Sequence, residues 1–375
     1  HIVPILAFFS SFFTTYPPTM KAAVVSNPVE PTKLTEVKEI PKPKIQDNEI
    51  LVKAKAYAIN PTDWKHIVFK MSQPGDVAGS DASGIVEEVG SQVTNFKKGD
   101  NVSSLVIGNV SPDNGAFAEY FVAKPQATIK YDHDLVSSLE SKSSTIDSFE
   151  GAASVTVGLV TVGISFAHSL NIAKNKEKGD SILIWGGATA TGILAIQVAK
   201  LVYNLNVIVT ASPKNHEYLK DLGADHTLDY NDADVVLKLQ LLGHIKFGLD
   251  TISNKDTFQK LYDATAGTPE VFLDSLLLLD GKSIKTDPAR NVHWGYTLGY
   301  LVVQKEKVLG TQKLVQTPEL VNDFNAWWEN VLPTIINKVK HANLKILDEG
   351  LASANEGLQL SRDNKVSGQK IVFRA

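Results

Sequence analysis

The chain has 375 residues, 43% hydrophobic and 21% charged, with a formal net charge of −4 and no cysteine. That length and apolar fraction fit a globular protein of two domains, or one large one, with a real core. The lack of cysteine excludes disulfides and thiolate metal sites, and the lack of a basic tract argues against nucleic acid or a membrane as partner.

In chain order, His1–Thr19 is apolar and closes on Pro17-Pro18. It has no basic n-region or small-residue cleavage site, and it is too short to span a bilayer. It reads as an extension outside the fold, with a damaged targeting segment as the alternative. Met20 opens a strand through Lys21–Val25. To about residue 130, short apolar runs (Glu49–Lys53, Gly84–Val89, Tyr120–Ala123) alternate with Pro, Gly, Asn and Asp clusters. They predict a compact β-barrel of low helical content.

Residues 135–150 are Ser-rich and read as a loop leading into a helix, at a domain boundary. From about 151 to 310, strands at Ser181–Trp185, Asn206–Thr210 and Phe247–Ile252 alternate with helices at Gly192 to about Val202 and about Asn215 to Leu222. This alternation predicts a parallel, doubly wound sheet. Residues 317–341 read as amphipathic helices, and Gln369–Arg374 as a final strand.

The strongest motif runs from Ser181 to Lys200: an apolar strand, a glycine-rich turn and a helix. The helix start offers unpaired N–H groups and a positive dipole end, both suited to a pyrophosphate. Gly186 and Gly187 permit the turn, and Gly192 lets helix and strand approach. Within Gly187, Ala188, Thr189, Ala190, Thr191 and Gly192, Thr189 stands where the usual middle glycine would be. Thr189 and Thr191 offer hydroxyls to phosphate oxygens. After the next strand there is no acidic residue for a ribose 2′-hydroxyl. Ser212, Lys214 and Asn215 suit a 2′-phosphate instead, so NADPH is expected over NADH.

Several ordered motifs carry a family resemblance: Asn60–Lys65, Gly79–Gly90, Lys98–Asp100, Gly115–Tyr120, the turn at 186–192, and Leu222–Asp225 followed by Asp229 and Tyr230. Over Met20–Ala375 the chain resembles the zinc-independent medium-chain dehydrogenase/reductases, in the quinone-oxidoreductase-like branch with fungal trans-acting enoyl reductases and yeast aldehyde reductases. The resemblance implies an α/β protein: a GroES-like β-barrel catalytic domain plus a Rossmann doubly wound parallel sheet. The expected divisions are 1–19 outside the fold, 20–145 catalytic, 146–310 cofactor-binding and 311–375 returning to the catalytic domain.

In zinc-dependent relatives a Cys and a His-Glu pair bind the metal; here Asn60 and Ser80-Asp81 stand in those places. No zinc is therefore expected. The resemblance further implies Lys65, Asn60 and Thr161 as catalytic candidates, and Thr62, Asp63, Trp64, Lys65, Tyr230, Val366 and Ser367 beside the cofactor. Thr297, Leu298, Gly299 and Tyr300 would line the substrate cleft. The expected activity is NADPH-dependent reduction of small aldehydes or α,β-unsaturated carbonyls, in the cytoplasm, by a monomer or homodimer. The alternatives are an enoyl reductase acting in trans on a polyketide synthase, and a non-catalytic NADPH-binding protein.

Overall fold

The computed structural model describes residues 17–375, so the leader before Pro17 lies outside the described residues. Strand β1 (Thr19–Glu30) starts one residue before the expected Met20 and pairs antiparallel with β2 (Lys33–Pro41). Next come β3 (Ile50–Ala58), helix α1 (Pro61–Val68), β4 (Asp81–Val89), β5 (Asn101–Leu105), β6 (Tyr120–Ala123) and β7 (Thr128–Lys130).

Helix α1 corrects the expectation of low helical content in this region. Asn60 sits at the N-cap in an extended conformation, Pro61 takes the first helical position, and Asp63 accepts the Asn60 N–H at 2.8 Å. Asn-Pro-x-Asp is a helix-start signature, because proline needs no N–H there and the acidic side chain satisfies one that would be orphaned.

Helices α2 (Phe149–Ala153), α3 (Thr156–Ile164) and α4 (Ile172–Asn175) follow, with a π-turn at Ser165–Ser169 between the last two. This run is long and apolar enough to cross a bilayer, but 67% of its most apolar window is buried within the protein. It is the core helix between the lobes.

The second lobe alternates β8 (Ser181–Trp185), α5 (Ala190–Leu201), β9 (Asn206–Ala211), α6 (His216–Leu222), β10 (His226–Asp229), α7 (Val235–Leu242), β11 (Ile245–Asp250), α8 (Lys255–Ala264), β12 (Glu270–Ser275) and β13 (Asn291–Trp294). Its strands lie in the order β10-β9-β8-β11-β12-β13, all parallel. The connections reverse direction between β8 and β11, which opens a crevice at the carboxyl ends of those strands.

A hairpin of β14 (Glu306–Leu309) and β15 (Gln312–Val315) straddles the boundary expected at residue 310. Helix α9 (Pro318–Asn330) buries Phe324, Trp327 and Trp328 in the same core as α3 and α5. That core also holds barrel residues, and Trp328 Nε1 donates to the Thr128 carbonyl of β7 at 3.1 Å, so the chain here packs on both lobes. After α10 (Leu332–Ile335) it returns to the barrel as β16 (Leu344–Leu347), α11 (Ser353–Arg362) and β17 (Lys370–Arg374).

The barrel sheet runs β16-β17-β3-β4-β5-β7, with β6 also on β3. Aromatic packing fastens the tail: Phe373 lies 4.9 Å from both Tyr57 and Phe117, ring centre to ring centre. Burying three such rings anchors β17 beside β3, so Lys370 at its start faces the beginning of α1.

Candidate active site

A cavity of about 710 Å³ lies between the lobes, over the carboxyl ends of β8 and β9 and beside the start of β17. Its walls include Ala188, Thr189 and Ala190 from the glycine turn, Ser212, Asn215 and Tyr230 from the next two strand ends, and Val366, Ser367 and Lys370 from the tail.

The glycine turn is built for close approach. Gly186 has φ of +84°, where a side chain would be strained. A Cβ at Gly192 would lie 2.2 Å from the Gly186 carbonyl oxygen, so no side chain fits. Thr189 caps α5: its hydroxyl oxygen accepts the Gly192 N–H at 3.0 Å. The same hydroxyl can donate to the Gly186 carbonyl at 3.0 Å or to Thr251 Oγ1 at 2.9 Å. This corrects the expected role of Thr189 as a phosphate donor, since its proton stays inside the turn. The N–H groups of Ala190 and Thr191 precede the first intrahelical bond, and at a helix start such groups suit an anion.

At the far end, Ser212 Oγ is 3.4 Å from the Tyr230 hydroxyl, and Lys214 Nζ is 3.3 Å from Ser367 Oγ. Lys214 borders a smaller adjoining hollow with Asn215 and Ser367. β9 ends in Ala211 with no carboxylate following. These residues fit an adenosine ribose carrying phosphate, and the turn fits a pyrophosphate.

Beneath the cavity lies a buried polar network. The Lys370 ammonium donates to Asn60 Oδ1 at 2.7 Å, and Asn60 Nδ2 donates to Asp81 Oδ2 at 3.2 Å. Asn109 Nδ2 donates to Asp63 Oδ1 at 2.9 Å and to Ser80 Oγ at 3.3 Å. Asp63 and Asp81 are fully buried. Desolvation raises Asp63 to about 6 and Asp81 to about 7, against the opposing pull of Lys370 and their hydrogen bonds. Burial likewise lowers the Lys370 pKa.

Two expected roles change here. The Asn60 amide is held at both ends by Lys370 and Asp81, so it bridges charges and is not free for substrate. The Asp63 carboxylate points at Asn60 and Asn109, not at the cofactor cavity.

These residues do not fit a zinc ion. An amide, a hydroxyl and one carboxylate replace the thiolate and imidazole donors that zinc favours, and a lysine ammonium already sits on the Asn60 oxygen.

The remaining candidates do not line the cavity. Thr161 Oγ1 donates to the Val157 carbonyl at 2.9 Å, which leaves it only as an acceptor. Thr297 is buried, donating to Asp274 at 2.7 Å, and acts as core support. Leu298 and Gly299 are part-exposed, and a Cβ on Gly299 would lie 3.5 Å from Thr161 Oγ1. The Lys65 ammonium reaches 5.9 Å from the Trp64 ring, and the Tyr300 hydroxyl bonds Ser80 across the lobes. Lys370, Asn109, His66 and Lys307 went unread in the sequence, because isolated polar residues in separate segments carry no spacing signal.

Comparison with known proteins agrees with this architecture. Residues 46–133 match the alcohol dehydrogenase GroES-like domain, and residues 190–282 the family model described as zinc-binding dehydrogenase. A trans-enoyl reductase of Alternaria alternata is 33% identical over 95% of this chain and 99% of its own. One from Aspergillus sclerotiorum is 32% identical over 92% and 98%. The quinone oxidoreductase of Coxiella burnetii superposes with a TM-score of 0.66 at 25% identity, covering 96% of this chain and all of that one (100%). With this barrel, this sheet order and this cavity, the chain belongs to the medium-chain dehydrogenase/reductase superfamily, in the zinc-independent, quinone-oxidoreductase-like branch that also holds fungal enoyl reductases, and is an NAD(P)H-dependent oxidoreductase.

Proposed function

We propose that the protein reduces small aldehydes or α,β-unsaturated carbonyl compounds with NADPH. The observation that carries this reading is the continuous cavity joining the α5 N-terminus, the Ser212–Asn215–Tyr230 end and the tail at Ser367. Ala190 and Thr191 N–H groups would hold the pyrophosphate, and Ser212 and Lys214 the 2′-phosphate. Lys65, half-buried on α1, is the candidate for the ribose hydroxyls nearer the reacting end. The bound nicotinamide supplies hydride.

The chain's own task is to orient the carbonyl and to answer the negative charge that hydride addition leaves on oxygen. Hydrogen-bond donors fixed in a water-poor cleft do this without a metal. A cytoplasmic location, where NADPH is available, goes with this reading.

The test is a panel of aldehydes, enals and quinones, followed by NADPH absorbance at matched NADH. Cinnamaldehyde separates the two chemistries: saturated aldehyde reports C=C reduction, and allylic alcohol reports C=O reduction. Oxidation of neither cofactor by any member would refute the reading and leave either a reductase of carrier-bound substrates or a non-catalytic NADPH-binding protein. A second reading, reduction of a carrier-bound enoyl chain in trans, is favoured by the full-length similarity to trans-enoyl reductases. It predicts turnover of enoyl thioesters on an acyl carrier far above that of free enals.

A further inference from the structure

We propose that Lys142, on the loop that joins the two lobes, is a second cation for the cofactor's 2′-phosphate and sets the preference for NADPH together with Lys214. This rests on the NADPH reading above and extends it to a residue outside the cofactor lobe.

The place is the hollow of about 360 Å³ that adjoins the main cavity. Asn215, Ser367, Gly368 and Gln369 border both spaces, so the hollow opens onto the cavity whose walls include Ser212 and Tyr230. Two lysines line it: Lys214, from the turn Pro213–Asn215 after β9, and Lys142. The rest of its wall is hydroxyl, amide and glycine, and no described carboxylate borders it.

The charge in this hollow is therefore one-sided. A phosphate monoester carries about −1.5 to −2 charge and three acceptor oxygens. Lys214 answers about half of that charge, and Lys142 answers the rest. Lys214 Nζ donates to Ser367 Oγ at 3.3 Å. With that oxygen accepting, the Ser367 hydrogen points elsewhere and suits a phosphate oxygen. NADH brings only a neutral hydroxyl to this end, so it gains nothing from either ammonium.

Lys142 is exposed, but its loop is pinned on both sides. The Ser141 carbonyl accepts the Leu344 N–H at 2.7 Å. The Ser143 N–H donates to Asn343 Oδ1 at 2.9 Å, and the Ser143 hydroxyl donates to the His341 carbonyl at 2.6 Å. Tyr218, from α6 of the cofactor lobe, donates its phenol hydrogen to Ser143 Oγ at 3.0 Å. One acid stands close in sequence. Glu140 Oε1 accepts the Lys142 backbone N–H at 2.9 Å, which fixes the turn, and Glu140 does not line the hollow. The backbone of Lys142 is thus set before the cofactor arrives, and only its four-carbon stem remains to be ordered.

The experiment measures binding to the full chain without substrate, so its outcome does not depend on which carbonyl compound is reduced. NADPH and NADH are titrated by fluorescence, and 2′-AMP and 5′-AMP by calorimetry. Lys142→Met should weaken NADPH and 2′-AMP by about five- to tenfold and leave NADH and 5′-AMP within about twofold. Lys142→Arg should hold NADPH within about twofold of the parent, and Lys142→Glu should weaken it by more than about tenfold. Added salt should weaken NADPH binding more steeply in the parent than in Lys142→Met. A Lys142→Met protein with parental NADPH affinity, where Lys214→Ala has lost it, overturns the role of Lys142 and leaves the NADPH reading standing. An equal loss for NADH also overturns it, because a displaced loop and not a missing phosphate contact would produce that result. A parent that binds NADPH no better than NADH overturns both readings.

Discussion

Replacing Lys370 by methionine keeps most of the aliphatic stem and removes the ammonium. The charged hydrogen bond to Asn60 goes with it, a loss of about 1.5–3 kcal/mol. Asp81 and Asp63 also lose the cation that offsets them, and deleting one partner of a buried pair costs about 3–5 kcal/mol. That larger cost applies only while the carboxylates are ionised. Burial holds Asp63 at about 6 and Asp81 at about 7 in the folded protein, whereas an unfolded aspartate titrates near about 3.9. Between those values the folded state binds more protons, so stability from these groups falls as pH rises through the window. Without Lys370 the folded pKa values climb further, and the window extends upward.

At pH 5 both carboxyls are neutral in the folded state, and the substitution costs the hydrogen bond alone. At pH 8 it costs the full buried pair. Unfolding entropy of about 2.1 cal/mol/K per residue gives roughly 0.8 kcal/mol/K for 375 residues. The melting temperature should therefore drop by about 2–4 °C at pH 5 and about 4–6 °C at pH 8, measured by calorimetry against the parent at each pH. Adding Asp81→Asn should recover much of the pH 8 loss. A drop no larger at pH 8 than at pH 5 would refute the charge argument.

Three further outcomes follow from the site. Purified protein should carry zinc far below one equivalent and keep its activity in EDTA; stoichiometric zinc, or loss of turnover on chelation, would contradict the Asn60–Lys370 arrangement. Lys214→Ala should raise KM for NADPH about tenfold or more, the worth of one charge-assisted bond, and leave KM for NADH unchanged; an equal rise for both would remove Lys214 from the phosphate site. Gly192→Ala places a carbon 2.2 Å from the Gly186 oxygen and should abolish NADPH binding in a chain that still folds, read by fluorescence titration and circular dichroism.

The sequence by itself determined what repeats locally. The strand–turn–helix at 181–201 is legible because apolar period and glycine placement act over a few residues, and the alternation of elements then dictates a parallel sheet. Helix α1 is equally legible from Asn60, Pro61 and Asp63, since capping is a three-residue interaction, although the β-type runs around it mask the signal. The tail's tie to the cofactor cavity at Val366 and Ser367 came from family likeness, not from pattern.

Tertiary structure alone decided the chemistry beneath the cavity. Lys370 meets Asn60 across 310 positions, and Lys307 meets His66 across 241. By sequence Thr189 suits a phosphate and Asp63 a cofactor, but in the fold the Thr189 hydroxyl caps α5 and Asp63 is buried against Asn60 and Asn109. Hydrogen-bond direction and desolvation depend on which groups the fold brings within about 3 Å, and residue spacing along the chain carries no record of that.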